Sequence, residues 1–172
     1  MTDMERITVI HPFEPLVDRN SRILILGSFP SIKSREQLFF YGHPQNRFWR
    51  MLAAVYGEAV PETIPQKQHL VLSHHLALWD TIFQCSISGS SDASIRDIVP
   101  IDINRILSVA CIEKVLCNGR LSGNMYHRYL EPFTGLTARI MPSTSPANAA
   151  VSLDQLTAIW RSELLPDTEC AW

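Results

Sequence analysis

The sequence predicts an α/β fold with a central, mostly parallel sheet. Two nearly continuous apolar runs, Arg22-Ile-Leu-Ile-Leu26 and Glu113-Lys-Val-Leu-Cys117, lack the alternation of a strand with one wet face. Such runs suit strands covered on both sides. Segments of helical period lie between and after these runs, the pattern of strand–helix–strand units. Pro- and Ser-rich loops, 27–31 and 142–146, follow two of the strands. In parallel sheets ligands gather beyond the carboxyl ends of strands, so the two loops are expected to face one crevice.

Each element has its own signal. The strand Arg22–Leu26 ends at Gly27 and passes into the loop Gly27-Ser-Phe-Pro-Ser31. An aromatic cluster, Phe39-Phe40-Tyr41, precedes a turn at Gly42-His43-Pro44. From Gln45 to Tyr56 the period is helical: Phe48, Trp49, Leu52 and Val55 share a side, and Gly57 ends the run. Leu70 to Leu78 reads as partly helical, with Trp79-Asp80 opening an irregular region and Gly89–Asp92 forming a turn. Ile103–Ala110 suits a short helix capped by Asp102. The strand ending at Cys117 is closed by Asn118-Gly119, and a helix runs on to about Leu130. Ala138–Met141 is a third short strand, and the last helix spans Leu153 to Leu165, stopped by Pro166.

Composition bounds the rest. With 172 residues, 46% of them hydrophobic, one domain over 1–172 is expected. No stretch approaches the ~18 apolar residues that span a bilayer. Met1–Arg6 lacks the apolar run of a signal peptide, so a cytoplasmic protein is expected. Fifteen basic against seventeen acidic residues argue against coating nucleic acid by bulk charge. Local grip is still allowed: residues 31–50 carry Lys33, Arg35, Arg47 and Arg50 against Glu36 alone. The tail from Leu153 has Arg161 against four carboxylates, so the first segment is expected to face a polyanion and the tail to face away. Cys85, Cys111, Cys117 and Cys170 form no Cys-x-x-Cys pair, which favours buried free thiols over a metal or iron–sulfur site. The neighbours His74 and His75 point about 100° apart on a helix and have no obvious third ligand.

Three segments go beyond a generic α/β chain: Leu24-Ile-Leu-Gly-Ser-Phe-Pro-Ser31, Tyr41-Gly-His-Pro-Gln-Asn-Arg-Phe-Trp49 and Met141-Pro-Ser-Thr-Ser-Pro-Ala-Asn148. In order and spacing they resemble the uracil-DNA glycosylase superfamily, most closely its deoxyinosine (hypoxanthine-DNA) branch. Leu78-Trp-Asp80 and Gly89–Asp92 add to that likeness, which runs from Arg22 to Trp160. The resemblance implies a three-layer α/β/α sandwich that flips a deaminated base out of DNA and hydrolyses its N-glycosidic bond. It implies no cofactor and DNA as partner; a monomer without a metal is expected. One position departs from relatives: where they carry a water-placing Asn or Asp in the first motif, this chain has Phe29. The deoxyinosine branch relies instead on an asparagine matched here by Asn46.

The chemistry suits these residue types. The reaction passes through an oxocarbenium-like sugar and a departing anionic base. An asparagine does not ionise, but its carbonyl can hold a water and its NH₂ can donate. Its expected contribution is positioning and electrostatics. Asn46 also sits where a helix N-cap belongs, so capping competes with catalysis as its role. By the resemblance, Tyr41 stacks on the everted base, against the alternative of a core aromatic; such stacking is worth ~1–3 kcal/mol. Gly27, Ser28, Phe29, Pro30 and Ser31 are expected to form the base-binding loop, offering backbone N–H groups and hydroxyls. Ser143, Thr144, Ser145, Pro146, Ala147 and Asn148 match the second motif and are expected to press on the DNA backbone; Asn148 has the alternative of capping the last helix. His43 is expected to make a structural hydrogen bond, and Trp49, Trp79 and Trp160 to pack the core. Lys33, Lys67 and Lys114 lie outside the expected site, which implies a monofunctional enzyme. Other readings stay open: a uracil or mismatch-specific glycosylase, a non-catalytic damage binder, or a flavodoxin-like nucleotide binder.

Overall fold

The computed structural model describes residues 5–88 and 92–166. Strand β2 (Ile23–Gly27) lies at the centre of a four-stranded parallel sheet, between β3 (Leu76–Asp80) and β6 (Lys114–Asn118); β7 (Arg139–Met141) pairs with β6 at the edge. Leu24, Ile25, Leu26, Leu76, Ala77, Leu78 and Leu116 have no exposed surface. Burial on both faces is why these strands are continuously apolar, and shortening any of these leucines to Ala would cost about 2–5 kcal/mol.

Helices cover the sheet, making it the middle layer of a three-layer α/β/α sandwich. Helix α1 (Ile32–Gln37), α2 (Phe48–Tyr56) and α3 (Ile64–Ser73) lie between β2 and β3; α5 (Arg120–Tyr129) and α6 (Glu131–Thr134) lie between β6 and β7, and α7 (Leu153–Leu164) packs on α2. Gly57 closes α2 in a left-handed conformation, as expected. Thr63 and Ser152 open α3 and α7 with reciprocal capping boxes to Gln66 and Gln155. The last helix is therefore capped by Ser152, and Asn148 instead donates through Nδ2 to the Ser143 carbonyl at 3.0 Å. The short helix α4 spans Asn104–Leu107 rather than Ile103–Ala110, and its N-cap position falls on Ile103 without a side-chain cap; from one residue earlier, Asp102 Oδ1 accepts from Asn104 N–H. Trp49, Trp79 and Trp160 are core residues.

Two further readings need correction. The segment Leu76–Asp80 is a fully buried strand, so Trp79-Asp80 does not open an irregular region. The chain leaves α3 through His74 and turns into β3 at His75, whose φ of 61° reverses the backbone without the Gly or Pro that usually signals a break. A second sheet, β1 (Ile7–Ile10), β4 (Ile82–Ile87) and β5 (Arg96–Pro100), is antiparallel in the order β1-β4-β5. It has its own small core of Ile82, Cys85, Ile87 and Ile95. Thr81 N–H and Ile82 N–H donate to the carbonyls of Gly27 and Ser28, fixing the second sheet to the end of β2. Gly89–Ser91, most of the expected turn, lies outside the described residues. Cys85 and Cys117 are buried free thiols, Cys111 is exposed rather than buried, and Cys170 lies outside the described residues. No helix among the described residues is long and apolar enough to cross a membrane.

Candidate active site

All strands of the parallel sheet point their carboxyl ends at one cleft of about 160 Å³. Gly27–Ser31 enter it from β2, Asp80 from the end of β3, Asn118 from the end of β6, and Ser143–Ser145 follow β7. Ser34, Phe40, Tyr41 and Asn46 come from the crossover after β2, and Phe13 from the N-terminal segment. The two Pro- and Ser-rich loops thus share one crevice, as their place in the sheet predicts.

Asn46 is held by a hydrogen-bond chain whose polarity is fixed throughout. Thr144 N–H donates to Asn118 Oδ1 at 3.0 Å, which orients the Asn118 amide. Asn118 Nδ2 then donates to Thr144 Oγ1 at 3.0 Å, so the Thr144 hydroxyl proton goes to Asn46 Oδ1 at 2.9 Å. Phe48 N–H, at the start of α2, donates to the same Oδ1 at 2.9 Å. Both acceptor sites of the Asn46 carbonyl are therefore occupied, and its Nδ2 makes no hydrogen bond among the described residues. Capping and cleft-lining, treated as alternatives from sequence, coexist in one side chain. The carbonyl is not free to hold a water; the NH₂ is.

Tyr41 reaches the cleft from a left-handed backbone, φ 54°, which costs a non-glycine residue on the order of 1–2 kcal/mol. Its ring stacks on Phe48 at 4.0 Å between centroids. The hydroxyl is buried with no hydrogen-bond partner. Burial, and then the charge of Asp80, hold the phenol well above its ordinary pKa; the nearby Asn118 amide opposes this without meeting hydrogen-bond geometry. Tyr41 therefore stays an O–H at any physiological pH. A Cβ on Gly27 would fall 2.3 Å from Asp80 Oδ1 and 3.4 Å from Tyr41 Oη, so only glycine leaves this corner open. Asp80 itself is 4% exposed, and its Oδ2 meets His11 Nε2 at 2.7 Å.

The remaining loop residues divide between lining and scaffolding. Ser31 Oγ accepts from Ser34 N–H to cap α1 and donates to Ser34 Oγ, which in turn accepts from Gly42 N–H. The Ser31 hydroxyl is thus committed to the loop, while Ser28 Oγ makes no hydrogen bond among the described residues. Phe29 packs on the small core under the Arg35 guanidinium, and Pro30 is buried. In the second loop Ser143, Thr144 and Ser145 line the cleft; Pro146 and Ala147 are exposed outside it. Arg47 fastens this loop to α2 through the carbonyls of Ser145, Asn148 and Val151. Of the four basic residues expected to face a polyanion, Arg47 is therefore structural, Arg35 is half-buried, and Lys33 and Arg50 are exposed. In the tail, Glu163 pairs with Lys114 and Arg139, while Asp167 and Glu169 lie outside the described residues.

His43 Nδ1 accepts from Gln45 N–H, a structural bond as expected. His74 pairs with Glu58 and stacks on Tyr56, and no metal-binding cluster occurs among the described residues. Sequence reasoning missed His11, Phe13, Asn118 and Asp80 as cleft or near-cleft residues. Asp80 and Asn118 had a readable signal, since each is the polar residue that ends a buried run at a sheet's carboxyl edge. His11 and Phe13 had none.

The chain matches the family model of the uracil DNA glycosylase superfamily over residues 14–167. It is 34% identical to a hypoxanthine DNA glycosylase of Methanosarcina acetivorans over 142 residues, covering 81% of this chain and 89% of that protein. A hypoxanthine DNA glycosylase of Methanosarcina barkeri is likewise 34% identical, over 79% of this chain and 86% of the relative. The fold is similar to a solution NMR structure of a proposed uracil DNA glycosylase from Methanosarcina acetivorans, with a TM-score of 0.73, 30% identity, and coverage of 87% of this chain and 95% of that one. With a single cleft geometry, three ordered motifs and these likenesses in agreement, the chain belongs to the uracil DNA glycosylase superfamily.

Proposed function

We propose that this chain is a monofunctional DNA glycosylase that everts a deaminated base, hypoxanthine foremost, and hydrolyses its N-glycosidic bond. The observation that carries the reading is the free Nδ2 of Asn46, presented in a cleft walled by the two motif loops. The names of the relatives support the choice of base.

The amide donates to the oxygen of a water and leaves that oxygen's second lone pair for C1′ of the sugar. A water held this way is aimed rather than deprotonated. That suffices for a dissociative transition state, in which the C1′–N9 bond is largely broken before the nucleophile engages. Tyr41, backed by Phe48, offers a ring for the everted base, and the 27–31 loop faces its edge. Small residues 143–148 approach the phosphates around the gap. No lysine lines the cleft among the described residues, which supports a reaction without a Schiff base to the sugar and an abasic site with an intact strand as product. Extruding the base costs a few kcal/mol, less where pairing is already weakened, which favours damaged sites.

The test uses purified protein and duplexes carrying deoxyinosine, uracil, xanthine or a T·G mismatch, followed by alkali. Strand breaks chiefly at inosine are expected. Breaks chiefly at uracil or T·G would replace the substrate, and binding without breaks would replace the enzyme with a damage-binding protein.

A further inference from the structure

We infer that Phe13 is a specificity-determining wall: it fills the space that a substituent at C2 of an everted purine would need, and so keeps guanine out of a cleft that admits hypoxanthine. The inference rests on the cleft being base-binding, as proposed above.

The two ends of the cleft differ. Asn46 lies at the β6–β7 end, tied through Thr144 to Asn118. Asp80 ends β3, at the opposite edge of the sheet order β3-β2-β6-β7. Two strand spacings, about 10 Å, separate β3 from β6. A sugar placed for a water on Asn46 therefore sends the far edge of the purine, N1 with C2 and C6 beside it, toward β3. Phe13 stands at that end. Its ring centroid is 4.5 Å from that of His11, whose Nε2 meets Asp80 Oδ2 at 2.7 Å.

Phe40 packs edge-on against Phe13 at 4.8 Å and also lines the cleft. Neither ring has a donor or an acceptor for a polar substituent. The Gly27–Ser31 loop offers backbone N–H groups, so the O6 carbonyl suits the loop side, and the carbon-bound hydrogen at C2 suits the Phe13 side.

Guanine is the undamaged base that poses the problem. It shares O6 and N1–H with hypoxanthine and differs only by an amine at C2. Asp80 cannot separate the two: one oxygen is filled by His11, and the other can serve a ring N–H that both bases carry. Discrimination falls to whatever faces C2. Against an aromatic wall the amine is stripped of water and gains no partner, and there is no room for its bulk.

Phe13 keeps this place because its segment is clamped on both sides. His11 N–H donates to the Phe83 carbonyl at 2.7 Å, and Leu16 and Leu78 exchange backbone hydrogen bonds at 2.9 Å in both directions. The ring itself rests on the main core. Residue 13 precedes the 14–167 span that matches the family, so the wall comes from outside that span.

The test compares single-turnover release of hypoxanthine and of 2-methylhypoxanthine from otherwise identical duplexes. The methyl group adds bulk at C2 without adding a polar atom. Wild-type protein is expected to lose roughly 10- to 200-fold on methylation, the range for one extra carbon in an apolar pocket, and Phe13→Ala less than ~3-fold. An equal penalty in both proteins, or none in the wild type, overturns the inference. A general loss of folded protein slows both substrates alike and leaves the ratio unmoved. Should Phe13→Ala fail to fold, Phe13→Leu keeps an apolar side chain of smaller reach, and the penalty should narrow at least ~3-fold; an unchanged penalty overturns the inference. With guanine placed opposite an abasic analogue, so that pairing does not hold it, Phe13→Ala should release it at least ~10-fold faster than wild type, and no gain overturns the assignment of guanine exclusion to this wall. Failure of wild-type protein to release hypoxanthine overturns the proposed function with it, whereas release with a Phe13-independent penalty overturns this inference alone.

Discussion

The Asn46 carbonyl accepts from Phe48 N–H and Thr144 O–H, and only the NH₂ is left to act on a substrate. Two substitutions separate its parts. Asn46→Ala should lower single-turnover base release by at least ~100-fold, the scale of losing a key electrostatic donor. Asn46→Asp keeps the cap and both acceptors but removes the donor, so it should be nearly as impaired. Wild-type rates in that variant would show that an acceptor at this position suffices. Thr144→Val tests the chain behind it. It strips the acceptor from Asn118 Nδ2 and the donor from Asn46 Oδ1, and should cost about 1–3 kcal/mol in a denaturant melt. Tyr41→Phe acts in the opposite direction. It removes a buried hydroxyl that has no partner and stands beside a carboxylate, so the melting midpoint should rise by the equivalent of about 1 kcal/mol.

At the scale of elements, one guanidinium fastens the outer half of the second-motif loop, residues 145–151. Arg47 sits just before α2 and binds three loop carbonyls across about a hundred residues of chain. A lysine has one compact ammonium where arginine has a planar fork, so Arg47→Lys should loosen residues 145–151 even though charge is kept. Hydrogen exchange in that loop should quicken at least ~10-fold, with exchange in β2 unchanged, because local opening is governed by local contacts. The same elements show what could be read from sequence. Strands β2 and β6 were legible because burial on both faces forces an unbroken apolar run, whereas β7, exposed at Arg139 and Ile140, was marked only by its short stretch before Pro142. Strand β3 was hidden because the reversal before it uses His75 in a left-handed turn, which has no composition cue. Strands β1 and β5 are exposed over most of their lengths, so no apolar pattern marked them. Asn46, Tyr41 and both loops were legible as short motifs. Asp80 was seen as the end of an apolar run and not as a cleft residue, and His11 was invisible, since its contact with Asp80 spans 69 residues.

For the whole molecule, the parallel sheet does the organising: it brings four strand ends, and the loops that leave them, to one rim. That rim is not strongly basic. The chain is net −2, Arg47 is used internally, and Lys33 already lies 3.5 Å from Glu36. Exposed cations close in sequence to the cleft residues include Lys33, Arg50 and Arg120, while Arg96, next to Ile95, is bound to the carbonyls of Ala93 and Ile95. With about 2–3 phosphates neutralised, affinity for duplex should fall only roughly 10- to 40-fold between 50 and 200 mM salt, against roughly 10³- to 10⁵-fold for a protein making many phosphate contacts. Fluorescence anisotropy with a duplex whose inosine sugar resists cleavage measures this directly. A log–log slope steeper than about −5 would mean that many more cations reach the DNA than this surface presents. A shallow slope would place most of the selectivity in the cleft, where eversion, stacking on Tyr41 and the fit of the base edge act without regard to ionic strength. Affinity for inosine over undamaged duplex should then hold nearly constant as salt rises, since the screened contacts are common to both and cancel in the ratio.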